Sequence, residues 1–138
     1  MTIQEYTQKI EHLRWVIESK KEKVLVLESI ATNTTQNLTG MPHNPSPSQS
    51  RMADAVCKIV DLEASIKQDE AEIERLKTQM SVAIDQVEDP KHRAVLYKRL
   101  IRNMTLDQIA EEIAYCRKTA QRFLKAGIER LEIILKKS

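Results

Sequence analysis

The chain has 138 residues, of which 30% are charged and 4% aromatic, with 2 Gly, 4 Pro and a formal net charge of +2. This length allows one domain or two small ones. The scarcity of Gly and aromatic residues argues against a sheet core with tight turns, and the abundant Leu, Ala, Glu, Lys, Arg and Gln favour helices. The composition therefore predicts an all-α protein.

Charge divides the chain into two parts. Residues 1–90 carry 10 Lys and Arg against 15 Asp and Glu, net −5, whereas residues 91–138 carry 12 against 5, net +7. A basic segment joined to an acidic one predicts a nucleic-acid-binding end and a protein-interaction end. A basic surface that serves only solubility is the alternative.

Several classes of protein are disfavoured by the residues themselves. The three His are scattered and no Gly-rich phosphate loop is present, so neither an enzyme nor a cofactor-binding protein is expected. Cys57 and Cys116 lie too far apart in sequence to suggest a metal site. The amino terminus lacks a signal pattern and no apolar run matches a membrane span, so we expect a cytoplasmic protein.

A first helix is predicted from about Ile3 to Ile30, because apolar residues recur there at heptad spacing. The two interleaved positions are Ile3, Ile10, Ile17 and Val24, and Tyr6, Leu13, Lys20 and Leu27. Lys20 is the one polar residue in this seam. Residues 32–50, with three Pro, one Gly and many Ser, Thr and Asn, are predicted to be a flexible loop.

A second long helix is predicted from about Met52 to Gln86. Its two seam positions are Met52, Ile59, Ile66, Ile73, Met80 and Val87, and Ala55, Leu62, Asp69, Leu76 and Ala83. Two seams of similar length predict an antiparallel hairpin, in which Lys20 and Asp69 fall within about one helical turn of each other. Either this polar pair fixes the register, or Lys20 extends to water and Asp69 lies near the edge.

The first helix carries more apolar surface than one partner covers. The segment from Val24 to Ala31 is apolar on more than one face, and Trp15 and Leu25 lie off the seam. A helix that is apolar over a wide arc requires a further partner. Either the basic segment folds back onto it or a second chain packs there, and we favour self-association as a homo-oligomer through the hairpin.

The basic segment begins at Asp89-Pro90, an N-cap followed by a first-turn proline. The apolar stripe of this helix consists of Ala94, Val95, Leu96, Leu100 and Ile101. Thr105 followed by Gln108 forms a capping box, so a middle helix is predicted to start at Leu106. Its inward positions are Leu106, Ile109, Ala110 and Ile113.

The middle helix is followed by a break at Ala114–Cys116 and by a last helix from about Arg117 to Leu135. Ala120, Phe123 and Leu124 continue the inward face, and Tyr115 would plug the turn. This is the spacing of a helix-turn-helix. Ala114 stands where Gly is common, at a cost of about 1 kcal/mol if φ is positive, and Cys116 is a poor cap.

The outward positions of the last helix combine cations with groups that can hydrogen-bond base edges. They are Arg117, Lys118, Thr119, Gln121, Arg122 and Lys125. The positive end of the helix dipole adds to the attraction for phosphate. These residues predict binding to double-stranded DNA, and a helical corner with incidental cations is the alternative.

The string from Val87 to Leu131 resembles region four of the sigma factors and, more closely, the phage regulators built on it. VEDPKHRAVLYKRLIRNMTLDQIAEEIAYCRKTAQRF, continuing to AGIERL, contains an Arg-x-x-Leu first helix, an NMT junction and an IAEEI middle helix. With the acidic hairpin in front, the chain is similar to late-gene transcriptional activators of phages of Gram-positive bacteria, of the RinA and ArpU type. Leu100 stands where these relatives usually have Tyr.

The resemblance implies a transcriptional regulator that binds duplex DNA at a phage or prophage promoter and contacts RNA polymerase. Residues 1–88 would form the hairpin and residues 89–138 the sigma-like DNA-binding domain. The roles expected of the site residues follow from placing the last helix in the major groove. Arg117, Lys118, Gln121 and Arg122 would face bases, and Thr119, Lys125, Arg99 and Arg102 would anchor phosphates.

The alternative hypothesis is a helical adaptor or assembly protein, such as a small terminase subunit, in which the hairpin is the functional region. A DNA-binding regulator loses affinity steeply with salt and prefers its own promoter to random DNA, whereas a pure adaptor binds neither.

Overall fold

The computed structural model describes residues 1–38 and 46–137, with side chains described for residues 1–32 and 50–137. The described residues form five α-helices and no strand, which confirms the predicted all-α class. The helices are α1 (Ile3–Leu38), α2 (Ser46–Asp85), α3 (Pro90–Leu96), α4 (Leu106–Ile113) and α5 (Arg117–Lys137). A π-helical segment, Tyr97–Ile101, continues α3.

The two long helices extend further than the sequence predicted. The loop expected over residues 32–50 is wrong at both ends, since α1 continues to Leu38 and α2 starts at Ser46. Thr, Asn and Gln cost a helix only about 0.5 kcal/mol each relative to Ala, so they need not end it. Pro47 falls in the first turn of α2, where proline is tolerated. The remaining part of the predicted loop lies outside the described residues.

The chain divides into two compact units. The first consists of Met1–Glu11 together with Ile73–Ser138, and the second of His12–Glu72. Both long helices therefore contribute to both units. The division does not follow the predicted boundary between residues 88 and 89, because the first turns of α1 and the last turns of α2 group with α3, α4 and α5.

Packing in the second unit follows the heptad pattern. Ile17 and Val24 of α1, and Ala55 and Ile66 of α2, are buried, and the other seam residues of this unit are half-buried. Heptad spacing places these residues on one stripe of each helix, which explains why they are removed from water together. Every buried residue among the described side chains of this unit therefore belongs to the seam predicted from the sequence.

The polar seam residues meet each other. Lys20 Nζ lies 2.5 Å from Asp69 Oδ2 and donates to Ser65 Oγ at 2.6 Å, and the Lys20 and Asp69 side chains are about one-fifth exposed. The sequence left open whether Lys20 pairs with Asp69 or extends to water, and in the structure the two side chains form a direct ion pair. A partly buried charge needs this kind of satisfaction, since an unpaired one would be costly.

The first unit has its own apolar core, built from both ends of the chain. Its buried side chains are Ile3, Tyr6, Ile10, Ile73, Leu76, Met80, Ala83, Ile84, Val87, Val95, Leu96, Ile109, Ala110, Ala120 and Leu131. Gly127 of α5 lies against α3, where an added Cβ would come within 3.0 Å of Leu96 Cγ. The apolar stripe predicted for the first helix of the basic segment is wrong at Ala94, because this residue is exposed.

A hydrogen bond joins the first turns of α1 to the π-helical segment. The Tyr6 hydroxyl, on a side chain that is 2% exposed, donates to the Leu100 carbonyl at 3.0 Å. Leu100 lies in the last turn before Asn103, where φ is 55° and the helix has ended. Carbonyls in a last helical turn lack a partner in the helix, so the phenol supplies one.

Replacing Tyr6 with Phe should lower the free energy of unfolding by about 1–2 kcal/mol, because the Leu100 carbonyl loses a donor inside a buried contact. The measurement is urea unfolding followed by circular dichroism. Thr7→Val, which removes the exposed hydroxyl that donates to Ile3, is the matched control and should change the free energy much less. Equal effects of the two substitutions would contradict the role given to the phenol.

None of the helices in the described ranges combines the length and the apolar character that crossing a bilayer requires.

Candidate nucleic-acid interface

The start of α4 is fixed by its own sequence. Thr105 Oγ1 accepts from the Gln108 N–H at 3.2 Å, and Gln108 Oε1 accepts from the Thr105 N–H at 3.0 Å. This confirms the predicted capping box, which satisfies two donors that the helix leaves free. Ile109 and Ala110 are buried and Leu106 and Ile113 half-buried, as predicted for the inward face.

A turn of three residues, Ala114–Cys116, separates the end of α4 from the start of α5. Ala114 has φ 61° and ψ 35°, its N–H donates to Glu111 O, and the Tyr115 N–H donates to Ala110 O. These two bonds are those of a Schellman motif, whose left-handed residue is usually Gly. Ala114 therefore has the positive φ that the sequence analysis treated as a condition, and α5 begins at Arg117 as predicted.

Ala114→Gly should stabilise the protein by roughly 0.5–1 kcal/mol. Glycine removes the roughly 1–2 kcal/mol penalty of a Cβ in the left-handed region. Part of this stabilisation is lost, because glycine also gives the unfolded chain more conformational freedom. Asn103→Gly is the control, since Asn103 also has positive φ but Asn tolerates this region better than Ala. Thermal unfolding of the two variants should rank Ala114→Gly above Asn103→Gly, and the reverse order would contradict the strain.

Cys116, predicted to be a poor cap for α5, contacts the side chain of Thr119 in the first turn of that helix. Its Sγ lies 3.1 Å from Thr119 Oγ1. Hydrogen bonds from the Thr119 hydroxyl, and next from the Thr119 backbone N–H, hold the pKa of the Cys116 thiol below its ordinary value. The thiol is exposed, so its thiolate is accessible to reagents.

This arrangement predicts how Cys116 responds to pH. In a Cys57→Ser background, alkylation of Cys116 should set in at a lower pH than alkylation of a free cysteine, because only the thiolate reacts and its fraction rises as the pKa falls. Thr119→Val should move the onset to higher pH, and Thr119→Ser should leave it in place. An onset unaffected by Thr119→Val would show that the hydroxyl does not stabilise the thiolate.

One face of α5 is lined by polar side chains that point to solvent. Lys118, Gln121, Arg122 and Lys125 are all exposed, at spacings of three, four and seven residues from Lys118. Among the described residues, none of the four makes a hydrogen bond or ion pair with another side chain. Ala120, Gly127 and Leu131 occupy the buried side of the same helix. The four side chains are therefore held at the surface with their polar groups available.

Two other predicted residues of α5 lie at the edges of this face. Arg117 is exposed, and its Nε lies 3.4 Å from Asp107 Oδ1 of α4, in a pair that is about 70% exposed on each side. Thr119 is half-buried, and its hydroxyl is hydrogen-bonded to the Cys116 thiol. Four of the six residues predicted to face outward therefore lie together on one exposed face. The other two, Arg117 and Thr119, contact neighbouring side chains.

The two predicted phosphate contacts of the π-helical segment are also engaged. Arg99 Nη1 donates to the Met104 carbonyl at 2.9 Å. Arg102 Nη1 and Lys98 Nζ both donate to Glu112 Oε1, at 2.7 and 2.5 Å. The bond from Lys98, and then that from Arg102, lowers the pKa of Glu112. Arg99 and Arg102 are exposed, but each already makes a hydrogen bond within the protein, and only Arg102 is paired with a carboxylate, ten residues further along the chain.

Tyr115 differs from its predicted role as a buried plug. Its side chain is 44% exposed, and its ring packs edge-on against Phe123 with the centroids 5.3 Å apart. Lys91 Nζ lies 5.9 Å from the Tyr115 ring centroid and 5.8 Å from that of Phe123. Phe123 reaches the turn from α5 and takes the inner place, so Tyr115 is left at the surface. The sequence did not predict that Lys91 would lie near these two rings.

A family model for proteins of unknown function, DUF1492, matches residues 46–132. The match covers more than half of the chain. The chain belongs to the DUF1492 family. No curated protein and no solved structure matches it. The DUF1492 match spans α2 and ends within α5, so it contains α4, the turn and the exposed face of α5.

Proposed function

We propose that this DUF1492 protein is a sequence-specific regulator that binds double-stranded DNA through a helix-turn-helix formed by α4 and α5. The single observation that carries the proposal is the exposed, unpaired face of Lys118, Gln121, Arg122 and Lys125 on a helix whose opposite side is buried. Side chains of these types read base edges and phosphates, and an α-helix fits the major groove.

In this proposal α5 enters the major groove near its amino terminus. Gln121 and Arg122 can each make bidentate contacts to a purine, and Lys118 and Lys125 lie one turn to either side, within reach of bases or phosphates. Arg117 and Thr119 act at the edge, where Arg117 must exchange Asp107 for a phosphate. The Schellman turn holds the backbone between α4 and α5, so binding would have to order the side chains of the face but not the turn itself.

The arrangement of the two long helices forms part of the same proposal. The residues of α1 from Lys20 to Leu27 share contacts and surface hollows with α2 residues that run backwards from Asp69 to Lys58. This order supports an antiparallel hairpin in the second unit. Regulation of phage or prophage late genes, with contact to RNA polymerase, follows from the sigma-like sequence pattern and is proposed on that basis alone.

Selection from a random duplex library tests DNA recognition without knowledge of the operator. The full chain should enrich one motif, and the affinity for that motif should fall with salt at a log–log slope of roughly −2 to −4, since two to four phosphates are contacted. A small terminase subunit would enrich a packaging site rather than a promoter when the fragments are mapped. A pure adaptor would enrich no motif and retain no duplex at moderate salt, and either result would reject the proposal.

A further inference from the structure

An apolar groove runs between α1 and α2 in the second unit. It has a volume of about 1000 Å³, and its apolar lining consists of Leu25, Val26 and Leu27 of α1 and Leu62 of α2. Leu25 and Val26 are 64% and 60% exposed. Large aliphatic side chains that form a continuous exposed surface, rather than scattered ones, indicate an interaction site.

Beyond the groove, the same side of α1 carries Trp15. Trp15 precedes Val26 by eleven residues, with Ser19 and Glu22 between them at spacings of four and seven, so all four share one side of the helix. Trp15 is 70% exposed, the largest exposed fraction among the large hydrophobic residues described. A tryptophan left this open on a helix is a typical anchor of a protein interface.

The charges at the rim identify the kind of partner. Glu22 and Lys23 of α1 and Lys58 and Asp61 of α2 line the groove, giving two cations and two anions. A surface for nucleic acid or for an anionic membrane would carry excess positive charge. A balanced rim suits a copy of itself, because a two-fold axis through the groove can bring each lysine opposite a carboxylate.

The area also agrees with a second copy. Burial of Trp15, Leu25, Val26, Leu27 and Leu62 on two copies would remove roughly 600–900 Å² of apolar surface from water. A standard interface of about 1,600 Å² is a little over half apolar, so this amount meets its requirement. A short peptide or a single side chain would leave much of the surface uncovered.

We infer that the groove of Leu25, Val26, Leu27 and Leu62, together with Trp15 on the same side of α1, is the interface through which two copies of this chain form a two-fold dimer. The inference rests on the antiparallel pairing proposed above. The two copies together make a four-helix bundle, in which each α1 covers the partner's groove. A dimer presents two α5 faces, as recognition of a two-fold symmetric DNA site requires.

Sedimentation velocity of the full chain without DNA, over a wide range of concentration, tests this inference. The wild type should sediment as a dimer, and Val26→Glu should weaken the dimer by about 100-fold or more, because two unpaired carboxylates would be buried. Val26 is exposed within a single chain, so the variant should keep its helicity by circular dichroism. Ala71→Glu, an exposed alanine of α2 outside the groove, is the matched control and should remain dimeric.

A wild type that is monomeric throughout, a Val26→Glu variant that remains a dimer or larger assembly, or an Ala71→Glu variant that dissociates as readily as Val26→Glu would each overturn the inference. The measurement contains no DNA, so these outcomes leave the motif selection untouched. Conversely, a dimer that enriches no motif would reject the DNA-binding proposal and leave the interface standing.

Discussion

Replacing Gln121 and Arg122 together with Ala should reduce the affinity for the selected motif by at least 30-fold, while binding to random duplex falls far less. Each bidentate contact to a base contributes about 1–3 kcal/mol of discrimination, and two such losses are roughly additive across separate bases. Removing one cation should make the salt slope shallower by about one. Fluorescence anisotropy with labelled motif and scrambled duplexes at several salt concentrations measures both quantities.

Lys136→Ala combined with Lys137→Ala is the control for charge, since it removes two cations where Gln121→Ala with Arg122→Ala removes one. Both lysines are exposed at the carboxy-terminal end of α5, about 20 Å along the helix from Gln121 and Arg122. This control should change the affinity for motif and scrambled duplex by the same small factor. If it removes the preference for the motif, or if Gln121→Ala with Arg122→Ala preserves that preference, the recognition face has been misplaced.

Replacing Gly127 with Val should destabilise the protein by about 3 kcal/mol or more. A Cβ at this position would lie 3.0 Å from Leu96 Cγ and 3.2 Å from its Cδ1, and Leu96 is fully buried, so α3 and α5 must move apart. Overpacking of a core typically costs 1–3 kcal/mol, and the two extra methyl groups of valine enlarge the clash beyond that of alanine. Thermal and urea unfolding give the value.

Two further variants isolate the cause of this loss. Glu129→Val introduces the same β-branched side chain at an exposed position of α5 and should cost well under 1 kcal/mol. Leu96→Ala added to Gly127→Val should recover part of the lost stability, although Leu96→Ala alone is destabilising, since it makes room for the valine. Additive losses in this pair would show that the two side chains do not compete for the same space.

Local signals fixed most of the helix boundaries in the basic segment. Asp89 accepts from the Lys91 N–H, Thr105 and Gln108 cap α4, and Ala114 adopts the left-handed conformation that ends it. The two caps depend on residues within a few positions of one another, so the sequence alone predicted them, whereas the conformation of Ala114 was left open. The boundary at residues 32–50 was misplaced because weak helix formers were read as helix breakers.

The environment of the candidate site depended on contacts that no local pattern encodes. Glu112 is ten residues from Arg102 and fourteen from Lys98, and the Tyr6–Leu100 bond joins positions 94 residues apart. Likewise, whether Tyr115 or Phe123 fills the space beneath the turn depends on how α5 packs against α3. The outward spacing of Lys118, Gln121, Arg122 and Lys125 was predictable, because helical periodicity alone determines it.

The bond from Tyr6 to Leu100 restricts how the protein can be shortened. A fragment beginning at Asp89 would retain every residue proposed to touch DNA, but it would lose the phenol and the apolar side chains of Met80, Ile84 and Val87 that the same unit buries. Amino-terminal trimming past Tyr6 would have a similar effect from the other end. A chimaera that transplants this unit therefore needs two separate pieces of the polypeptide, Met1–Glu11 and Ile73–Ser138.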